Sequence, residues 1–436
     1  MRCQLLDRRH CIRICAESIH VLLIALIVVA GSDLETLLHC VYHRLKDNTH
    51  ASISDNKRSY HIMMTSSPQR KNSAIERERS STNCAPITND GTTASDVEIP
   101  IIDLSNPNSE EIATQLWHVA HNVGFFTLIN HSIPQHQIDT LFTLSEQFFG
   151  LDSDTKHQYP FDREKNSGYE FMTQKPPSTN VVDLKETFQV TAREGCMDQL
   201  WPSDVVSLQQ KEGEEQQQQQ GFQEVIMDMI ANAHALACRV LSLLESRACP
   251  HVERGTLPNS HHIWGEDGQC TLRLLHYPPT IVNVEDEQDE GNHDNESTQI
   301  NTENDANTRW RCGAHTDWGS LTLLFQRVGE DGLECRRRDV DEGVEGTSAT
   351  WVEVPPEEGG ITVNIGDMLK RWSDCKLYSN MHRVRMPKTS EDCAKSRYSV
   401  AFFLQADKSA LIENMSNEPI TAGDYFAARI NAHFSE

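Results

Sequence analysis

Residues 312–326 read CGAHTDWGSLTLLFQ and residues 397–405 read RYSVAFFLQ, and these two stretches decide the fold. They belong to a series of seven short β-type runs separated by turns. The others are TLRLLHYPP (271–279), DGLECRRR (331–338), ATWVEVPP (349–356), GGITVNIGD (359–367) and LYSNMHRVRM (377–386). Short strands at this spacing predict a sandwich or barrel. A jelly roll is the economical choice, because two packed sheets bury alternating residues without crossover helices.

Upstream of this β-rich text the pattern is mixed. Residues 222–247 form the longest helical stretch, with Ile226, Met229, Ile230, Ala233, Ala237 and Val240 on one face, a stripe expected to be core. VEIPIIDL (97–104) reads as a strand, residues 109–123 as a helix with Ile112, Leu116, Val119 and Ala120 aligned, and GFFTLINHSIP as a strand ending in a turn. A further helix is expected from about Pro134 to Phe149. The fold class is therefore mainly β with flanking helices, a jelly-roll core preceded by an α/β amino-terminal part.

Two segments cannot bury a core: KEGEEQQQQQ within the Gln-rich insertion 211–221, and residues 285–307, which carry nine acidic side chains and no basic one. They divide the chain into an extension (1–95), an amino-terminal domain (96–210) and a domain of long helix plus jelly roll (222–436). In the extension, Arg2, Arg8, Arg9 and Arg13 precede an apolar run at 21–30, an order that resembles a signal peptide. The run is shorter than the ~20 residues a membrane-spanning helix requires, so no stable span is expected. The expected compartment is the cytoplasm. Secretory or organellar targeting through residues 19–30 is the alternative, and residues 48–95 read as a linker.

Composition narrows the function. With 38% hydrophobic and 24% charged residues over 436, wholesale disorder and a multi-span membrane protein are excluded. A formal charge of −25 argues against a chain that acts by clamping nucleic-acid phosphates, so the expected partner is a small molecule, bound by a monomer. The 13 cysteines are scattered and contain no CxxC pair; Cys11 and Cys15 lack two further ligands for zinc. Reduced thiols follow.

Chemistry concentrates in the β-runs. In a strand, positions i and i+2 share a face, so His315 and Asp317 of HTD can converge on one ion. A lone H-x-D triplet arises about once by chance in a chain this rich in His and Asp. His382, on another predicted strand, completes two histidines and a carboxylate, a facial triad that leaves positions open on non-haem Fe(II). Arg397 and Ser399 repeat the i, i+2 geometry and can hold a carboxylate.

With these motifs in place the chain resembles the isopenicillin-N-synthase-like group of Fe(II)/2-oxoglutarate-dependent dioxygenases. The amino-terminal part matches in IPIIDL, VGFFTLINHSIP and the GY…DLKETFQV text. The catalytic part matches in LRLLHYPP, AHTDWGSLTLLFQ, GLE, NIGDMLKRWSD, HRV and RYSVAFF. The resemblance implies a double-stranded β-helix core, with His315, Asp317 and His382 as iron ligands, Arg397 and Ser399 as the clamp for the distal carboxylate of 2-oxoglutarate, and Tyr277 beside the cosubstrate. It also implies O₂ as co-reactant, succinate and CO₂ as products, hydroxylation or desaturation of a small organic substrate, and room for ascorbate as an auxiliary. An iron oxidase that uses no 2-oxoglutarate, a protein hydroxylase and a catalytically silent binding protein are the alternatives.

The chain departs from the group at two places. Leu275 stands where many members carry Asn, which removes a polar contact to the cosubstrate. Cys375 replaces the usual glycine in the turn after Trp372, where a positive φ is costly. Asn130-His131 is expected to be structural and Trp318 to face the core. Gly168 and Tyr169 are expected to begin a segment lining the substrate cavity, with a plain loop as the alternative. His261 and His262 have no spacing argument.

Overall fold

The computed structural model describes residues 98–175, 181–202, 205, 221–280, 310–338 and 350–434. The expectations for 1–95, the 211–220 stretch and the acidic stretch 285–307 lie outside the described residues. The amino-terminal part supplies β1 (Ile101–Asp103), α1 (Ser109–Asn122), β2 (Phe125–Ile129), α2 (Gln135–Phe149), the single turn α3 (Ser153–Lys156), β3 (Gly168–Phe171) and β4 (Glu186–Thr191). After α4 (Phe222–Ala248) and α5 (Thr256–Asn259) come β5 (Thr271–Tyr277), β6 (Cys312–His315), β7 (Leu321–Phe325), β8 (Leu333–Arg336), β9 (Trp351–Glu353) and β10 (Ile361–Ile365). The chain continues through α6 (Asp367–Trp372), β11 (His382–Val384), α7 (Ser390–Cys393), β12 (Arg397–Leu404), the pair β13 (Leu411–Ile412) and β14 (Ile420–Thr421), and α8 (Ala422–Phe434).

The helices start where local chemistry satisfies their free N–H groups. Asn108 accepts from Glu111 N at the head of α1, and Glu110 and Glu111 complement the positive end of the dipole. Pro134, with φ fixed at −63°, precedes α2. In α4 the predicted stripe is buried as expected. This helix is the only one among the described residues long and apolar enough to cross a membrane, and half of that window is buried inside the protein. Buried Glu245 near its end accepts from Gly255 N (2.6 Å) and Leu257 N (2.7 Å), which ties α5 to it.

Twelve of the described strands form two facing sheets, and β13 and β14 pair separately. The larger has the order β1-β2-β10-β7-β12-β5-β4-β3, the smaller β6-β11-β8-β9. Among the described strands only β1 and β2 pair in parallel. Strict alternation divides the large sheet's residues between two cores. Phe126, Leu128, Leu321, Leu323, Val363, Val400 and Phe402 pack with Ile226, Ile230, Ala233 and Ala237 of α4. On the other face Phe125, Leu275, Tyr277 and Ala401 meet Cys312, Leu333, Cys335 and Val384 of the small sheet. Full burial of each Val, Leu, Ile or Phe among them contributes about 1.5–3 kcal/mol. The sandwiched second face is the inside of the double-stranded β-helix.

Three details correct the sequence reading or sharpen it. CGAHTDWGSLTLLFQ is two strands, β6 and β7, joined by a turn, so the seven runs supply eight strands. Strands from both sides of the 211–221 boundary share one sheet, since β2 pairs with β10 and β4 with β5. A register shift in the β11–β6 pair sets His382 opposite His315 and Val384 opposite Cys312, so one extra β6 residue turns both Cys312 and His315 inward.

Candidate active site

His315 ends β6 and His382 begins β11, and the two are direct cross-strand partners with ring centroids 4.3 Å apart. Asp317 is not in a strand, contrary to the i, i+2 expectation. It lies in the turn after β6, held by Asp367 N donating to its carbonyl (2.8 Å). Here Gly319 and Gly366 run against each other, and a Cβ on Gly366 would meet Gly319 O at 2.1 Å. The turn thus brings the carboxylate back under both imidazoles.

The hydrogen bonds aim the donor atoms. His315 Nδ1 lies 2.8 Å from Gly313 O and His382 Nδ1 lies 3.2 Å from Asn380 O. These carbonyls accept from Nδ1–H, a tautomer assigned from the network, which leaves the Nε2 lone pairs free. Both Nε2 atoms sit 3.8 Å from Asp317 Oδ1. Asp317 Oδ2 is occupied, accepting from Thr322 Oγ1 (2.6 Å) and Asn364 Nδ2 (2.8 Å), so Oδ1 is the oxygen left to bind a cation.

The three ligand atoms lie within 4.8 Å of one another, and no other such group of His, Cys, Asp or Glu gathers among the described residues. Burial, with repulsion from His315, lowers the His382 pKa to about 4, so its imidazole is neutral. Burial pushes the Asp317 carboxyl up, but the two histidines, Thr322 and Asn364 outweigh it and hold the group below the usual carboxylate range. Two imidazoles with free Nε2 atoms and one carboxylate fit Fe(II) with open positions.

Arg397 and Ser399 lie on the same face of β12, both buried. Arg397 donates through Nε to Glu330 O (2.9 Å), through Nη2 to Gln326 Oε1 (3.0 Å) and weakly through Nη1 to Ser399 Oγ (3.4 Å). Tyr277, its register partner on β5, presents its ring 5.0 Å from the guanidinium carbon. Among the described residues no carboxylate pairs with Arg397, which is 2% exposed. A buried cation without an acid partner is costly unless an anion joins it.

Both departures from the family pattern take the form expected. Leu275 is buried in the apolar cluster with Tyr277 and Cys312 and offers no polar contact. Asp374 and Cys375 take φ of +55° and +62° as Cys375 N closes α6 onto Lys370 O (2.9 Å).

Several other expectations resolve. Asn130 Nδ2 donates to Asp103 Oδ1 (2.8 Å) and His131 Nδ1 accepts from Ile133 N (3.2 Å), so both shape their turn. Trp318 packs against the helix-side core. Gly168 and Tyr169 open strand β3 rather than a plain loop, and the Tyr169 hydroxyl donates to Glu186 while its ring packs 6.0 Å from Phe148, on the helix side. Of the histidine pair, His261 is buried between Leu257 O (2.6 Å) and Ser320 Oγ (2.7 Å), whereas His262 pairs with Asp407.

The sequence reading missed the supports of Asp317 and the wall beyond the metal. Thr322 and Asn364 are polar residues inside the apolar strands LTLLF and ITVNI, and that contrast was the available signal. Thr322 is the register partner of Phe403, so the wall near the metal carboxylate includes Phe403 and Arg273. The Arg273 guanidinium lies 5.2 Å from the Phe403 ring, and its Nε donates to Gln189 Oε1 (2.6 Å).

Comparison with known proteins agrees with this geometry. Residues 99–206 match the family "non-haem dioxygenase in morphine synthesis N-terminal", and residues 269–406 match the "2OG-Fe(II) oxygenase superfamily". UPF0676 protein C1494.01 of Schizosaccharomyces pombe is 28% identical over 351 residues, covering 77% of this chain and 92% of its own. A 2-oxoglutarate-dependent dioxygenase of Didymella fabae is 26% identical, covering 76% of this chain and 92% of its own. Among solved structures, a full-length Neurospora crassa protein in complex with alpha-KG shares the fold at a TM-score of 0.56 and 24% identity, over 76% of this chain and 95% of that one. The two family matches together span more than half of the chain, which belongs to the 2OG-Fe(II) oxygenase superfamily and is a 2-oxoglutarate-dependent dioxygenase.

Proposed function

We propose that this dioxygenase hydroxylates or desaturates a small organic molecule, with His315, Asp317 and His382 holding Fe(II) and Arg397, Ser399 and Tyr277 receiving the distal carboxylate of 2-oxoglutarate. The observation that carries the reading is the buried, acid-free Arg397 on the same inner face as the only His/His/Asp group among the described residues. When bound, iron with O₂ couples decarboxylation of 2-oxoglutarate, to succinate and CO₂, to oxidation of the substrate.

The chain's own residues set the geometry. Thr322 and Asn364 fix which oxygen of Asp317 faces the cation, and the Gly313 and Asn380 carbonyls keep the proton of each imidazole on the far nitrogen. Arg397 and Ser399 orient the cosubstrate by charge-assisted hydrogen bonds. The apolar cluster of Phe125, Leu275 and Val384 excludes water around the reacting groups. Across the wall, Arg273 has no acid partner within ion-pair distance among the described residues, so it suits a substrate carrying a carboxylate or carbonyl group.

A second reading, an iron oxidase that does not consume 2-oxoglutarate, is supported by the same clamp, since Arg397 and Ser399 can hold a substrate carboxylate. Turnover stoichiometry decides between them. One succinate formed per O₂ consumed, across a screen of small carboxylic and carbonyl compounds, is expected. Substrate oxidation without succinate would select the oxidase.

A further inference from the structure

Lys185, in the DLKETF text, is a buried lysine with no assigned role. Its side chain is 7% exposed, and its Nζ lies 2.8 Å from Asp183 Oδ2 and 3.1 Å from Cys312 Sγ. Asp183 Oδ1 accepts from Gly313 N (2.8 Å), so the pair is anchored to β6, the strand that ends in His315. Cys312 Sγ is itself 3.9 Å from His315 Nδ1. The ammonium therefore stands beside the metal strand.

Register places it more closely. Glu186 pairs with His276 and Thr187 with Leu275 across β4 and β5, and Tyr277 pairs with Arg397 across β5 and β12. Continuing that register by one residue sets Lys185 beside Tyr277. Arg397, Tyr277 and Lys185 then form one row across three neighbouring stretches of backbone, with a cation at each end and strands ~4.8 Å apart. Burial opposes the charged lysine, but its ion pair with the Asp183 carboxylate outweighs it, so the ammonium persists.

The charges in this row do not balance. Two buried cations are met by a single carboxylate, Asp183, among the described residues. Of the three ammonium donors, one serves Asp183, one faces the weakly accepting thiol, and the third has no partner among the described residues. A dianion with a carboxylate at each end matches this row. Leu275, lying between Ser399 and Thr187 in register, supplies none of the polar contact needed at its metal-proximal end.

We propose that Lys185 is a second cationic contact for the 2-oxo acid cosubstrate, holding its oxo-acid carboxylate end while Arg397 holds the distal one. The proposal rests on the 2-oxoglutarate reading above. The competing role is a purely structural ion pair that ties the approach to β4 onto β6. The two roles differ in what they do to binding.

The test is anaerobic calorimetry on the full chain, titrating Fe(II) first and 2-oxoglutarate second. Lys185→Met is expected to weaken 2-oxoglutarate at least tenfold while Fe(II) affinity stays within about threefold, with Lys185→Arg recovering part of the loss. Should Lys185→Met fold poorly because Asp183 is left unpaired, the double variant Asp183→Asn/Lys185→Met removes both charges together and is expected to show the same weakened binding. Wild-type affinity for 2-oxoglutarate in either folded variant would overturn the proposal and leave the structural tie. Wild-type protein that binds Fe(II) but no 2-oxoglutarate would overturn the underlying reading instead.

Discussion

Arg397 and Tyr277 face each other across the β12–β5 pair, the guanidinium carbon 5.0 Å from the ring centroid. The contact sets a buried cation on an aromatic face, with a carbonyl, an amide oxygen and a hydroxyl as its polar partners. None of these neutralises its charge, which is why the pair is read as one half of an anion site.

Replacing that cation separates cosubstrate binding from metal binding. Arg397→Ala is expected to weaken 2-oxoglutarate by about 1.5–3 kcal/mol, roughly ten- to a hundredfold, with Fe(II) affinity unchanged. An unaltered 2-oxoglutarate Kd, read by calorimetry, would mean the clamp lies elsewhere.

The metal site should also respond to residues that do not touch the ion. Asn364→Ala takes away one of the two donors on Asp317 Oδ2 and is expected to weaken Fe(II) roughly 10- to 100-fold. Competition against a chelator measures this, and wild-type affinity in the variant would show that Asp317 needs no such support.

Cys375 carries strain that its usual counterpart avoids. With φ at +62°, Cys375→Gly is expected to raise stability by about 0.5–1 kcal/mol in chemical denaturation. A loss of stability would mean that the side chain's contacts outweigh the backbone cost.

His261 links acid pH to stability. Burial lowers its pKa to about 4, against 6.5 for the ordinary group. Because the folded pKa is the lower one, the unfolded chain binds the proton first. Its contribution is therefore complete above about pH 6.5 and is lost as pH falls toward 4, on the order of 3 kcal/mol in total. His261→Gln is expected to flatten the stability curve over that window; an unchanged slope would show that the acid response comes from other groups.

The alternation of β12 was readable because it is a regular eight-residue strand, so Arg397 and Ser399 share a face as their spacing requires. The same rule applied to HTD expected His315 and Asp317 to converge, and they do, but through a different geometry. β6 stops at His315, and a glycine-permitted turn delivers Asp317 instead. Cys312 beside His315 was not legible, because a register shift against β11 is a property of two strands together. Tyr169 faces the helix side for a similar reason: Glu186, its hydrogen-bond partner, occupies the helix side of β4. Asp183 and Lys185 lay inside a quoted motif, but their meaning depends on Cys312 and Gly313, more than 120 positions away.

The central claim, that this inner face assembles Fe(II) and 2-oxoglutarate together, is tested most directly by adding 2-oxoglutarate anaerobically to the Fe(II)-loaded protein and recording the visible spectrum. The account predicts a charge-transfer band that forms in the wild type and is lost in both His382→Ala and Arg397→Ala. Absence of the band with iron demonstrably bound, or its persistence in His382→Ala, would contradict it.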